Sequence, residues 1–345
     1  MEKGKHALSK REQIKQRAKK QIAQRLIILV ICLICIVIII QTQNENREVS
    51  ASQDKSVEQQ EAENQEQEET GENEGNNADN SNEESQTEIE EEPVTPTEDE
   101  EIKTLITEIK TANNLTADNF AFFYYNPQTQ KYYFDNQDKY FKGASTVKVP
   151  VAMIYYDKIR NGDLTEKSTL QYTSDDYEAG GGTTASTYNV GNYIPISFLL
   201  EQSIINSDNT AVNILIDGIG YRKSRELMAK YSDEEFIDDF YTSNLTKASF
   251  GFDIINHIYQ NQENYQELIG YMKQSSFGEY LKKYITEYDV AHKYGSYAGN
   301  VHDYGIVFAD SPYLIGVYTQ NVTDADELIA NISRQVLDKI LLKAD

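Results

Sequence analysis

At 345 residues, with 39% apolar content and a net charge of -24, the chain is long enough for one substantial domain or two small ones. The acidic balance argues against nucleic acid as a partner. Cys32 and Cys35, the only cysteines, both stand in one apolar run, which leaves no thiol elsewhere for a disulfide, a zinc site or a nucleophile.

Residues 1–25 carry nine Lys or Arg against Glu2 and Glu12, a basic tail expected in the cytoplasm. Residues 26–40, LIILVICLICIVIII, follow without a polar interruption, roughly 22 Å of helix at about 1.5 Å per residue. The predicted transmembrane helix is 26–41, short for a span. Gln41-Thr42-Gln43-Asn44 offers no small-residue cleavage site, so the segment reads as an uncleaved single-pass anchor. With the cations crowded before it and Arg47 alone beyond it, everything after residue 41 is expected outside the membrane.

Residues 42–100 read as a disordered acidic linker. Residues 51–100 alone hold 19 Asp or Glu, one Lys and no aromatic residue. Such a segment buries too little apolar surface to fold, and its self-repulsion keeps it extended. It reads as a spacer or as a tolerated low-complexity stretch.

From Glu101 the composition turns aromatic, and residues 101–345 read as one domain. Strand-like runs at 120–126 (FAFFYYN) and 131–134 (KYYF) flank a hairpin turn at Asn126-Pro127-Gln128-Thr129. Apolar helical spacing predicts helices within 145–160, 196–204, 210–230 and 251–272; strands are predicted at 303–309 and 313–320, and a final helix at 324–342. An antiparallel sheet built from both ends of the domain, flanked by helices and carrying a helical subdomain, is an α+β layout.

Three short motifs carry chemistry. Ser145-Thr146-Val147-Lys148 opens a helical run, which puts the hydroxyl and the amine three apart on one face. A hydroxyl needs such a base to become a nucleophile at neutral pH. Ser207-Asp208-Asn209 lies between two helical runs, where it either lines a cleft or caps the second helix. Lys293-Tyr294-Gly295-Ser296 closes a strand-like stretch after Val290-Ala291-His292.

Each motif is weak alone. In this order, and with the Gly180-Gly181-Gly182-Thr183 loop, they make residues 101–345 resemble the class A β-lactamases and penicillin-binding serine hydrolases. The resemblance implies that fold and a serine acyl-enzyme. Ser145 would attack a strained or terminal amide carbonyl, Lys148 would accept its proton, and Ser207 would pass a proton to the departing nitrogen. Asn209 would orient the substrate amide, and Lys293, with Tyr294, Gly295 and Ser296, would meet the substrate carboxylate. The backbone N–H groups of Ser145 and Ser296 would form the oxyanion hole. β-Lactams or cell-wall peptides ending in D-alanine would be the substrates, at a bacterial cell surface, for a monomer needing no cofactor or metal.

Two departures from the family pattern stand out. Tyr294 replaces a small hydroxyl residue. In addition, no E-x-x-L-N stretch, which supplies the deacylating Glu, is found, and the chain between Met228 and Thr246 is short for its loop. Glu234, Glu235, Asp238 and Asp239 lie there but read as a solvated helix face. Efficient β-lactamase turnover is therefore not expected, and a catalytically weak peptidoglycan-binding module on a tether is the alternative; a surface stalk is a third reading. His6, His257, His292 and His302 show no metal-ligand spacing, and His292 is expected to face away from Lys293 across the sheet.

Overall fold

The computed structural model describes residues 96–276 and 279–341. The basic tail, the predicted transmembrane helix and residues 42–95 of the expected linker lie outside the described residues. Its last residues are not linker: Thr97 and Glu98 pair with Lys131 and Tyr132, and Asp99 caps a helix that starts at Glu100. Among the described residues, no helix is long and apolar enough to cross a membrane.

The N-terminal part of the domain runs through strand β1 (Thr97–Glu98), helix α1 (Glu100–Ala112), strands β2 (Phe120–Asn126), β3 (Lys131–Asp135) and β4 (Phe141–Lys142), and helix α2 (Lys148–Arg160). The middle holds β5 (Thr169–Gln171), α3 (Thr184–Thr187), β6 (Tyr193–Pro195), α4 (Ile196–Ile205), α5 (Asn209–Asp217), α6 (Tyr221–Met228), β7 (Leu245–Thr246), α7 (Ala248–Gln260) and α8 (Gln266–Lys273). Strands β8 (Val290–Tyr297), β9 (Asn300–Val307) and β10 (Tyr313–Gln320) and helix α9 (Ala325–Leu341) close the chain.

Six strands form one sheet in the order β1-β3-β2-β10-β9-β8, so β2 from the start of the domain pairs with β10 from its end. The pairings are antiparallel except that of β1 with β3, which is parallel. The wholly antiparallel sheet expected from sequence is thus corrected to a mixed one by the two-residue β1.

The apolar runs on β2 and β10 are continuous because both faces of the sheet are covered. Ala121, Phe123, Leu314 and Tyr318 pack into a core with the middle helices. Phe120, Phe122, Tyr124, Ile315 and Val317 alternate to the other face, under α1 and α9. Burying that second face on two helices from opposite ends of the domain ties the ends together. It leaves the β8 edge facing the helical middle, where the sequence motifs meet.

Two long helical runs are broken. The 210–230 run splits at Gly218-Ile219-Gly220: Gly220, at φ +87°, donates to the Ile216 carbonyl at 2.7 Å and ends α5. The 251–272 run is divided by a 3-10 turn at Gln262–Asn264.

Candidate active site

Ser145 lies in a 3-10 turn, Ala144–Val147, that runs directly into α2. Ala144, just before it, adopts φ +46°, a left-handed conformation uncommon for a residue with a Cβ, and its carbonyl accepts a hydrogen bond from Asn244 Nδ2 at 2.9 Å. Lys148 opens α2 and is 2% exposed. Its Nζ lies 3.0 Å from Ser145 Oγ, 3.1 Å from Ser207 Oγ, 2.7 Å from the Ser207 carbonyl and 2.7 Å from Asn209 Oδ1. An ammonium has three N–H donors, one fewer than these acceptors. Only the Ser207 carbonyl and Asn209 Oδ1 must accept, however, and the two hydroxyls can donate, so a neutral amine with two N–H groups also satisfies the site and turns its lone pair to a hydroxyl. Burial pushes the Lys148 amine down to about 8, against smaller opposing pulls from Asp208 and Glu178.

Ser207 sits in the turn between α4 and α5 with φ +52°. Asp208 caps α5, accepting from Ala211 N at 3.0 Å with one oxygen and from Thr184 N at 2.9 Å with the other. Both readings of Ser207-Asp208-Asn209 therefore hold: Asp208 is the cap, while Ser207 and Asn209 turn toward Lys148. The glycine loop explains itself here. A Cβ on Gly181 would stand 2.7 Å from the Asn206 and Ser207 carbonyl oxygens, and one on Gly182 would stand 2.1 Å from Asp208 Oδ2.

Lys293 reaches the same hydroxyl from β8. It is fully buried, and its Nζ donates to Ser207 Oγ at 3.1 Å and to the Tyr294 carbonyl at 3.1 Å. Burial, reinforced by the neighbouring Lys148, holds the Lys293 amine well below its ordinary range, with Asp303 opposing. Ser207 Oγ thus lies between two amines, an arrangement able to relay a proton. Gly295 brings the β8 backbone against the nucleophile: a Cβ there would stand 2.9 Å from Ser145 N.

Tyr294 is buried rather than spread across the cleft. It stacks on Tyr280 with centroids 5.1 Å apart, and Lys293 Nζ lies 4.0 Å from its ring centre. Burial pushes its phenol up to about 12, against a smaller pull from Ser207. His292 points to the opposite sheet face, where its Nδ1 meets Asp303 Oδ2 at 2.7 Å.

A cleft of about 480 Å³ opens beside Ser145, lined also by Lys148, Asn209, Asn213, Ser296 and Tyr297. Glu178, which sequence reasoning passed over, lines it as well: its carboxylate accepts from Asn209 Nδ2 at 3.2 Å and Asn213 Nδ2 at 3.1 Å. Its position two residues before Gly180-Gly181-Gly182 was the available signal. Of the carboxylates between Met228 and Thr246, Glu235, Asp238 and Asp239 are exposed as expected, though not on a continuous helix, and Glu234 is the exception. Glu234 pairs with the buried Lys247 and accepts from Ser249 Oγ at 3.1 Å, while Asp238 and Asp239 open a short 3-10 turn.

A family described as the beta-lactamase enzyme family matches residues 99–340. No curated protein matches the chain. Among solved structures, PBP-A superposes with a TM-score of 0.62 at 20% identity, covering 72% of this chain and 98% of its own. A beta-lactamase from Sphaerobacter thermophilus gives 0.60 at 20% identity, over 70% and 98%. A PBP-A mutant described as an acyl-enzyme complex with penicillin-G gives 0.64 at 20% identity, over 71% and 98%. The family match takes in almost all of the described residues, and the chain belongs to the beta-lactamase enzyme family.

Proposed function

We propose that residues 101–345 form a serine hydrolase acting on C–N amide bonds, in which Ser145 forms an acyl-enzyme with β-lactams or with the D-alanyl ends of cell-wall peptides. Lys148 carries this reading: it is an amine buried to 2% exposure, pushed down to about 8 and 3.0 Å from Ser145 Oγ. At neutral pH roughly a tenth of such an amine is unprotonated, enough to act as a base.

Lys148 takes the Ser145 proton as Oγ bonds to the carbonyl carbon. The C–N bond then breaks, and the nitrogen receives a proton through Ser207, which is in contact with both Lys148 and Lys293. The backbone N–H groups of Ser145 and Ser296 serve the developing oxyanion, a role supported by the close approach of β8 to Ser145 N. Asn209 orients the substrate amide and Lys293 supplies the field for its carboxylate. Residues 26–41 anchor the protein in the plasma membrane with 1–25 cytoplasmic, and the acidic residues from 42 up to the first strand hold the domain away from the bilayer on the outer side.

Intact-mass measurement of the full chain in detergent, exposed to penicillin G, tests the reading. The expected result is a covalent adduct, absent from Ser145→Ala. No adduct with penicillins or with D-alanyl peptides would leave a binding module.

A further inference from the structure

We infer that Glu178 is the base that activates water to hydrolyse the Ser145 ester, an inference that rests on the acyl-enzyme reading above. Ester hydrolysis needs a proton acceptor one water away from the carbonyl carbon.

The other nearby carboxylates do not line the cleft. Asp208 spends one oxygen on Ala211 N and the other on Thr184 N. Glu234 is engaged by Lys247 and Ser249. Asp303 is buried across the sheet against His292 and Leu281 N. Among the described residues that line the cleft beside Ser145, Glu178 is the only Asp or Glu.

Its placement is built. Asn209 and Asn213 stand four residues apart on one face of α5, and each donates an amide N–H to a different oxygen of Glu178. The Glu178 backbone is fastened to the same helix, its N–H donating to Thr210 Oγ1 and its carbonyl accepting from the Thr210 hydroxyl, both at 3.2 Å. Asn209 then bridges: Nδ2 to Glu178 at 3.2 Å, Oδ1 to Lys148 Nζ at 2.7 Å. The carboxylate is thus one side-chain amide away from the amine that touches the nucleophile, with open cleft beside it for a water.

In the step, water oxygen bonds to the acyl carbon while Glu178 takes one of its protons. The C–Oγ bond breaks, Oγ recovers a proton from the Lys148 ammonium or from Glu178, and the acyl group leaves as a carboxylic acid. Nothing beyond water is consumed.

The test separates formation of the adduct from its loss, by intact mass over time on the full chain with penicillin G and with an acyl-D-alanyl-D-alanine peptide. Wild type is expected to acylate and clear. Glu178→Gln is expected to acylate within about threefold of wild type but to clear slower by about 10²–10⁴-fold, with Glu178→Asp recovering part of the loss. Clearance by Glu178→Gln at the wild-type rate overturns the inference, as does a wild-type adduct that clears with neither probe. Loss of adduct formation in Glu178→Gln assigns the carboxylate to acylation and overturns it too. Absence of any adduct on wild type, by contrast, removes the acyl-enzyme reading itself.

Discussion

The proposed chemistry turns on how far burial lowers one amine. Lys148 is pushed from its ordinary 10.5 to about 8, and burial is the dominant cause. Only the neutral amine can accept the Ser145 proton, so acylation by penicillin G is expected to rise with pH, tenfold per unit well below 8, and to level off above it. The sign follows from the lowered value: raising pH removes a proton that the buried site already disfavours. Pre-steady-state acylation rates between pH 5.5 and 9.5 check this, and a profile flat across that range would exclude Lys148 as the base. Lys293 does not supply this limb, because it contacts Ser207 rather than Ser145.

At the scale of elements, the site is held by a turn packed on a turn. Gly182 has φ +69° and leaves no room for a Cβ beside Asp208, the cap of α5. Gly182→Ala is expected to destabilise the domain by about 1–3 kcal/mol, combining left-handed strain with displacement of the cap. Gly162→Ala isolates the strain, since Gly162 has φ +80° with nothing within 4 Å of a Cβ. Thermal melting of the two variants should therefore differ, and equal losses would mean that the Asp208 contact has no weight. Gly182→Ala should also slow acylation, because Asp208 sets the turn that aims Ser207 and Asn209 at Lys148.

Elements with an unbroken period were readable from the sequence: β2, β10, α2, α4 and α9 all begin and end within a few residues of the expected bounds. The breaks were less so, although Gly218 and Gly220 carried the signal for the end of α5. Ser145, Lys148, Ser207, Asn209 and Lys293 were readable because motif order substitutes for distance. Glu178 was not, since a lone acid in a loop has no periodicity and its partners are set by the fold. Tyr294 was visible as an anomaly, but its burial on Tyr280 depends on a short turn whose placement no local pattern announces.

For the whole molecule, the order of elements determines which parts can be removed. The sheet joins β2 to β10, and α1 and α9 share one core, so both chain ends of the domain are structural. The core clusters begin at Ile102 and extend to Ile340. A chain starting at residue 96 is expected to melt within about 2 °C of the full chain and to form the penicillin adduct within about twofold of its rate. A drop above about 4 °C, worth about 1–2 kcal/mol in a domain of this size, would mean that the preceding segment supports the fold. Ending the chain before Ala325 should have the opposite effect. It removes Ile329, Ile332, Val336 and Leu337, all fully buried, each contributing about 1.5–3 kcal/mol. Their sum is comparable with the whole net stability of about 5–15 kcal/mol, so circular dichroism should show loss of cooperative unfolding even though α9 contributes no residue to the cleft.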